Sequence, residues 1–322
     1  MITALTSMFG VDVPVVQAPM AGAAGGRLAA AVSAAGALGM IGVGSSTPTE
    51  WIREQEGVAR EGAAGRPFGI GLMAWALDAR PDQLDVVLDT RPAFASLSFG
   101  DVQPYVKPLQ EAGITVFSQV GTLDEALDAE QAGVDIIVAR GAEAGGHGRD
   151  AVGTLPLLQQ VLDRVRVPVL AAGGISGPRG LAAVLAAGAA GAWVGTAFLA
   201  SPESMTADAG RERLLAASAT STVYGRVFDV GQRTPWPEQF GGRALRNAYF
   251  DRWVGHEAEL AVDEEAHRAV LEARRVLDPE IAPVYAGQGV GALTDVRPAA
   301  EVVAHLARAD DLLRALTVDR TA

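Results

Sequence analysis

One phrase repeats along the chain: a stretch with helical patterning, then Ala-Gly, then a short apolar run. It occurs at Ala35-Gly36 before Leu38–Ile41, at Ala112-Gly113 before Ile114–Val120, at Ala132-Gly133 before Ile136–Ala139, and at Ala187-Gly188 before Ala192–Val194. A glycine in that position closes a helix in the left-handed conformation. The apolar run after it does not alternate with polar residues, as in a strand buried on both faces. Val13–Ala18, Phe68–Met73, Phe94–Ser98 and Val167–Ala172 are further strand candidates, with helical patterns between them. Such βα alternation requires parallel strands joined by right-handed crossovers. Eight units within roughly two hundred residues predict a (β/α)8 barrel of the TIM type.

The pattern changes after Ser201. Residues 204–283 have few β-branched runs, and Arg211–Ser218 and Asp263–Val276 read as amphipathic helices. Trp236 between Pro235 and Pro237 marks an irregular connection. This segment is expected to be a helical cap module, inserted before the final helix of a barrel made from residues 1–203 and 284–322. A second glycine loop, Gly287-Gln288-Gly289-Val290-Gly291, leads back to the barrel. The last helix is expected over Pro298–Leu316, with proline in its first turn.

Composition narrows the chemistry. A net charge of −12 argues against nucleic acid or an anionic membrane as partner. The uncharged stretch from Gly180 to Pro202 is broken by glycines and reads as a helix followed by a buried strand, not as a membrane span. The chain has no cysteine, which excludes disulfides, thiolate catalysis and cysteine-held metals. Lys107, the one lysine, lies on an expected surface helix, so Schiff-base chemistry is not expected. No histidine pair has ligand spacing, and no metal is expected. Met1–Phe9 lacks the pattern of a secretion signal, and a cytoplasmic location is expected.

The stretch Arg140-Gly-Ala-Glu-Ala-Gly-Gly-His-Gly-Arg-Asp150 leaves the sixth strand, at the face where barrel chemistry gathers. Its glycines let backbone approach a ligand, and His147 stands among them as the candidate catalytic residue. His256, His267 and His305 lie in charged helical stretches and are expected at the surface. Glu143 is expected to pair with an arginine or with loop backbone. Gly173-Gly174 follows the seventh strand and Gly195-Thr196 the eighth, the places where barrels hold phosphate at a helix N-terminus. The segment Gln17-Ala-Pro-Met-Ala-Gly22, after the first strand, suits a flat ring lying over shaped backbone. Trp75, Phe99 and Tyr105 are candidates for pocket lining, with core packing the equal alternative.

Taken together, Gln17–Gly22, Glu143–Gly148, Gly173–Ile175, Gly195-Thr196 and Gln288–Gly291 resemble the nitronate monooxygenase family. Order and spacing match along nearly the whole chain, including Arg246-Asn247 and Arg297-Pro-Ala-Ala300. The resemblance implies FMN bound non-covalently to the barrel, and oxidation of alkyl nitronates by O2 to a carbonyl compound and nitrite. The cofactor set it implies here is Pro19, Met20, Ala21, Gly71, Gln119, Arg140, Gly145, Gly146, Gly173, Gly174, Gly195, Thr196, Gln288 and Gly289. His147 would face the flavin as substrate-binding or catalytic residue. Two positions depart from the family pattern. Gly71 stands where an asparagine is usual, and Arg140 where a glutamine is often found.

The expected partners are a small-molecule substrate and O2, in a monomer or homodimer. The alternative is an NAD(P)H-dependent flavin reductase on the same barrel, acting on an enoyl thioester or quinone. A flavin-free barrel binding a phosphorylated metabolite is a third reading.

Overall fold

The computed structural model describes residues 1–318. Its strands, in chain order, are β1 (Val15–Gln17), β2 (Gly39–Gly42), β3 (Phe68–Met73), β4 (Phe94–Ser98), β5 (Thr115–Val120), β6 (Ile136–Arg140), β7 (Gly146–Gly148), β8 (Val169–Ala172), β9 (Gly191–Val194), β10 (Thr222–Gly225) and β11 (Gly241–Leu245). Eight of them form one parallel sheet in the order β1-β9-β8-β6-β5-β4-β3-β2. The two ends of that order meet. Gln17 N–H donates to the Leu38 carbonyl at 2.8 Å and Leu38 N–H to the Val15 carbonyl at 2.9 Å, so the sheet closes on itself. This is the expected α/β barrel, and each of the eight expected strands overlaps an observed one.

The repeated Ala-Gly phrase works as its chemistry suggests. Gly36, Gly113, Gly133 and Gly188 all have φ between 80° and 105°, each just past a helix end. Helices Gly26–Ala34, Thr49–Gly62, Pro81–Thr90, Gln103–Glu111, Leu123–Gln131, Thr154–Leu162 and Pro178–Ala186 alternate with the strands. Ala299–Ala307 and Ala309–Val318 complete the ring. The expected single last helix is therefore two, divided at Arg308.

Inward and outward residues alternate along each strand. The inward layer Val16, Leu38, Met40, Phe94, Phe117, Ile136, Val138, Leu170 and Trp193 is buried and continuous. Phe9, from the helix Ala4–Phe9, plugs its N-terminal end with ring centroids 5.3 Å from Phe94 and 5.8 Å from Phe117. One register step further up, the inward residues become small or polar. They are Ala18, Gly42, Gly71, Ser98, Gln119, Ala172 and Gly195, with Arg140 the one large charged residue among them. The barrel is thus filled by large apolar side chains below and carries small or polar residues at its C-terminal mouth.

Residues 204–283 hold the expected helices, observed at Asp208–Ala216 and Glu264–Val276, and two strands that the helical expectation missed. β11 pairs antiparallel with both β10 and β7, which ties this segment to the loop that carries His147. Gly241-Gly242 opens β11 without a β-branched residue, so β-propensity gave no signal there. No helix among the described residues is long and apolar enough to cross a membrane.

Candidate active site

His147 is the central residue of β7, opposite Gly242. Its Nε2 lies 2.8 Å from the Asp229 carboxylate. Its ring stacks on Trp236, with centroids 3.7 Å apart and planes 4° from parallel, and Tyr285 stands 5.2 Å away. A Cβ on Gly242 would come within 2.8 Å of the Tyr285 ring and 3.3 Å of His147 Nε2. Glycine is required at that strand position for the two rings to meet.

One short turn supplies both partners of the imidazole. Asp229 sits in the helix Val227–Gln232, and its carbonyl accepts from Thr234 N–H at 3.0 Å. The Thr234 carbonyl in turn accepts from Trp236 N–H at 2.8 Å. Arg226 fixes the far side of the turn by donating to the Trp236 carbonyl at 3.1 Å. Asp229 is 2% exposed. Burial pushes the Tyr285 phenol well above its ordinary range, and the negative charge of Asp229 adds to the rise.

The aromatic lining continues from Trp236. Trp75 lies 5.2 Å from it and Phe99 5.1 Å, and Phe99 also meets Phe240 at 5.5 Å. Phe99 holds φ +68, a left-handed conformation seldom adopted by a bulky residue. Trp75 Nε1 is buried without a hydrogen-bond partner, an orphan donor at the edge of this cluster. Tyr105 is not part of it and instead donates to Asp78 at 2.7 Å. Of the other histidines, His256 is exposed as expected. His267 and His305 are half-buried, and His267 Nδ1 bonds the Gly231 carbonyl at 2.8 Å.

The glycines expected to hold a cofactor divide into two kinds. Gly145, Gly173 and Gly289 are packed against protein. A Cβ there would meet Gly287 N at 2.4 Å, Thr154 Oγ1 at 2.5 Å and Ser176 Oγ at 2.3 Å respectively. Gly146, Gly174 and Gly195 have room, with nothing closer than 3.5 Å to a Cβ at any of them. Gly145 admits the return segment, and Gly289 lets that segment lie against Ser176. Gln288 N–H donates to the Glu143 carbonyl at 2.8 Å, and Gly287 N–H donates to Thr196 Oγ1 at 2.9 Å. The segment therefore crosses directly from the His147 loop to the end of β9. Thr196 begins a 3-10 turn, Thr196–Phe198, whose leading N–H groups have no acceptor within the turn.

Glu143, expected to pair with an arginine or with loop backbone, pairs instead with Thr154. Its carboxylate accepts from Thr154 N–H at 2.8 Å and from Thr154 Oγ1 at 2.8 Å, capping the helix Thr154–Leu162. Gln119 lies in the inward register of β5, half-buried at the mouth. Pro19, Met20 and Ala21 fold over the β2–β3 side of the mouth, where a Cβ on Gly42 would strike Met20 backbone at 2.4 Å.

Two of the residues expected to hold the cofactor are engaged by the protein itself. The Arg140 side chain is turned into its own loop. It is 2% exposed, and its guanidinium donates to the carbonyls of Ala144 (2.9 Å), Gly146 (3.0 Å), Arg149 (3.1 Å) and Gly145 (3.3 Å). Burial pushes it down to about 10. It is the internal strut of the His147 loop. Gly71 is closely packed as well. The Pro19 ring fills its Cβ position, with Cβ at 2.4 Å and Cγ at 2.5 Å, so this glycine exists to admit Pro19.

Sequence reasoning missed Asp229 and Tyr285, and read Trp236 only as part of an irregular connection. The signal for Asp229 was a single acid inside the apolar run Val227-Phe-Asp-Val230. A surface cavity of about 740 Å³, lined by Met1, Leu162, Val167, Leu185 and Leu313 among others, lies at the opposite end of the barrel from this site.

Comparison with known proteins agrees with this architecture. FabK from Thermotoga maritima superimposes with a TM-score of 0.86 at 29% identity, over 99% of each chain. Nitroalkane oxidase from Streptomyces ansochromogenes superimposes with a TM-score of 0.83 at 31% identity, over 98% of this chain and 99% of that one. Fold and likeness together define an oxidoreductase built on a (β/α)8 barrel. Residues 2–83 and 75–309 match the family described as nitronate monooxygenase, and the chain belongs to that family. Nitronate monooxygenase from Paraburkholderia phytofirmans is 32% identical over 86% of this chain and 96% of that protein. A second relative is (3aS,4S,5R,7aS)-5-hydroxy-7a-methyl-1-oxo-octahydro-1H-indene-4-carboxyl-CoA dehydrogenase from Rhodococcus jostii. It is 38% identical over 70% of this chain, and the match spans 63% of its own length.

Proposed function

We propose that the chain is an FMN-dependent nitronate monooxygenase. The observation that carries the reading is the His147 imidazole, held by Asp229 and Trp236 at the barrel mouth, beside open glycine backbone at the ends of β8 and β9. The residues present fit a flavin mononucleotide. Gly174 and Gly195 leave the space a phosphate needs, and the start of the Thr196–Phe198 turn offers N–H groups to it. Glu143, the acid beside Gly174, is occupied by the N–H and hydroxyl of Thr154. Pro19–Ala21 supplies shaped backbone for a flat ring. A flavin bound there would accept the electrons released when the substrate carbon is oxidised.

The chain's own residues do the rest. His147 orients a nitronate by hydrogen bonding, or removes an α-proton when the neutral nitroalkane binds. Trp75, Phe99 and Trp236 exclude water around the imidazole, which strengthens its polar contacts. The N–H of Trp75 offers a donor to a substrate oxygen. The substrates are small molecules together with O2. The glycine-shaped crossing of residues 286–289 closes the site from the β9 side, which favours treating residues 204–283 as a cap over the barrel.

A second reading, an NAD(P)H-dependent flavin reductase acting on an enoyl thioester or quinone, is favoured by the likeness to FabK and to the carboxyl-CoA dehydrogenase. His147→Ala distinguishes the parts of the first reading. Turnover of a neutral nitroalkane should fall by roughly a hundredfold or more, the scale of a lost general base, and turnover of preformed nitronate by less. Equal losses leave His147 an orienting role only, and no loss on either substrate removes it from the site.

A further inference from the structure

His147 has two ring nitrogens, and the structure accounts for one of them. Nε2 is 2.8 Å from a carboxylate that is itself 2% exposed. An ionised carboxylate only accepts hydrogen bonds, so the nitrogen facing it must carry the proton. A neutral imidazole has one N–H, and placing it on Nε2 leaves Nδ1 with a lone pair. The stacked indole of Trp236, at 3.7 Å and 4°, holds the plane of the ring. A Cβ on Gly242 would lie 3.3 Å from Nε2, so glycine at this position keeps the imidazole clear of a crowding side chain.

We propose that Asp229 is a positioning residue that fixes His147 as the Nε2–H tautomer, so that Nδ1 is the atom that receives the substrate proton. This rests on the role given to His147 above and extends it to a named atom and to a carboxylate supplied by residues 204–283. Asp229 touches neither substrate nor cofactor in this scheme and acts through the imidazole alone. The proton moves from the substrate α-carbon to Nδ1, and the electron pair of the broken C–H bond is retained by the nitronate. The imidazolium so formed bears one N–H toward Asp229 and one toward the site, and the buried carboxylate stabilises its charge. Carboxylates behind histidines have this effect elsewhere: they select the tautomer and hold the ring.

The test reads the tautomer directly. The chain has only four histidines, so 15N-histidine labelling of the purified holoprotein gives four ring systems, and His147→Ala assigns the relevant one. Two-bond 1H–15N correlations, recorded where the ring is neutral, should show Nε2 protonated and Nδ1 bare. In Asp229→Asn the amide can donate to Nε2, and the Nδ1–H form should appear. Turnover of a neutral nitroalkane should then fall on the order of a hundredfold through kcat, with KM little changed. Asp229→Glu should restore part of both signals. An Nδ1–H tautomer in the wild type, two protonated nitrogens at neutral pH, or an unchanged tautomer in Asp229→Asn would each overturn the proposal. The wild-type spectrum decides even where the variant does not fold. If the tautomer is as stated and no nitroalkane or nitronate is turned over, the functional reading fails while the positioning role of Asp229 stands.

Discussion

Replacing Arg140 with methionine should loosen the His147 loop more than it harms the barrel. Methionine keeps a long apolar stem in the space and removes every donor. The guanidinium serves four carbonyls within residues 144–149, three of them at 3.1 Å or less. A hydrogen bond to a charged group contributes about 1.5–3 kcal/mol, and a buried carbonyl left without a donor costs about 1–3 kcal/mol. The gain is partial, because holding a guanidinium out of water carries a penalty of several kcal/mol that methionine does not incur. The lowering of the Arg140 pKa to about 10 shows the same penalty from the other side. The balance is a loss of about 2–4 kcal/mol. Equilibrium urea denaturation of wild type and Arg140→Met measures it, and amide hydrogen exchange locates it. Protection should fall at residues 144–149 and in β11, which pairs with β7, before it falls in β3–β5. A loss below about 1 kcal/mol, the worth of one ordinary hydrogen bond, with unchanged protection in this loop, would refute the strut role.

Other substitutions test other parts. Gly195→Ala should keep its flavin, since a Cβ there has contacts no closer than 3.5 Å, whereas Gly195→Asp should lose it by setting a carboxylate against the phosphate; flavin stoichiometry after gel filtration is the readout. Gly71→Ala should cost about 1–3 kcal/mol by overpacking against Pro19, and Pro19→Gly should relieve it, so thermal unfolding of the double variant should show a coupling of about 0.5–3 kcal/mol. Tyr105 is pushed up to about 12, chiefly by burial and then by its bond to Asp78. The folded state keeps that proton above the unfolded pKa of about 10, so the contribution is complete below pH 10 and is lost as pH rises toward 12. Tyr105→Phe should flatten that part of the stability–pH curve, and an unchanged curve would show that the phenol does not contribute.

The barrel was legible because its signals are local and repeated. Each Ala-Gly end, continuous apolar strand and following helix could be recognised without knowing what packed against it. The glycine loops were legible for the same reason, and so was the placing of His147 in the segment that leaves β6. What the glycines do was not legible. Gly71 and Gly195 look alike in sequence, yet one is filled by Pro19 and the other stands open, a difference made by segments more than fifty residues away in the chain. Arg140 presented the same difficulty, since nothing local shows that its guanidinium serves four carbonyls of its own loop. Asp229 and Tyr285 meet His147 where β7 pairs with β11, a strand with two glycines and no β-branched residue. Nothing local marks that pairing, and residues 204–283 therefore read as helical.

The proposed function requires this site to take electrons from a nitronate into a bound flavin. The direct measurement is the visible spectrum of the purified protein under anaerobic conditions, first alone, then with a preformed alkyl nitronate, and separately with NADH or NADPH. The account requires a yellow protein that releases FMN on denaturation and whose flavin absorbance changes rapidly on addition of nitronate without any pyridine nucleotide. A flavin that ignores nitronate and bleaches only with NADH or NADPH would contradict it and establish the reductase reading instead.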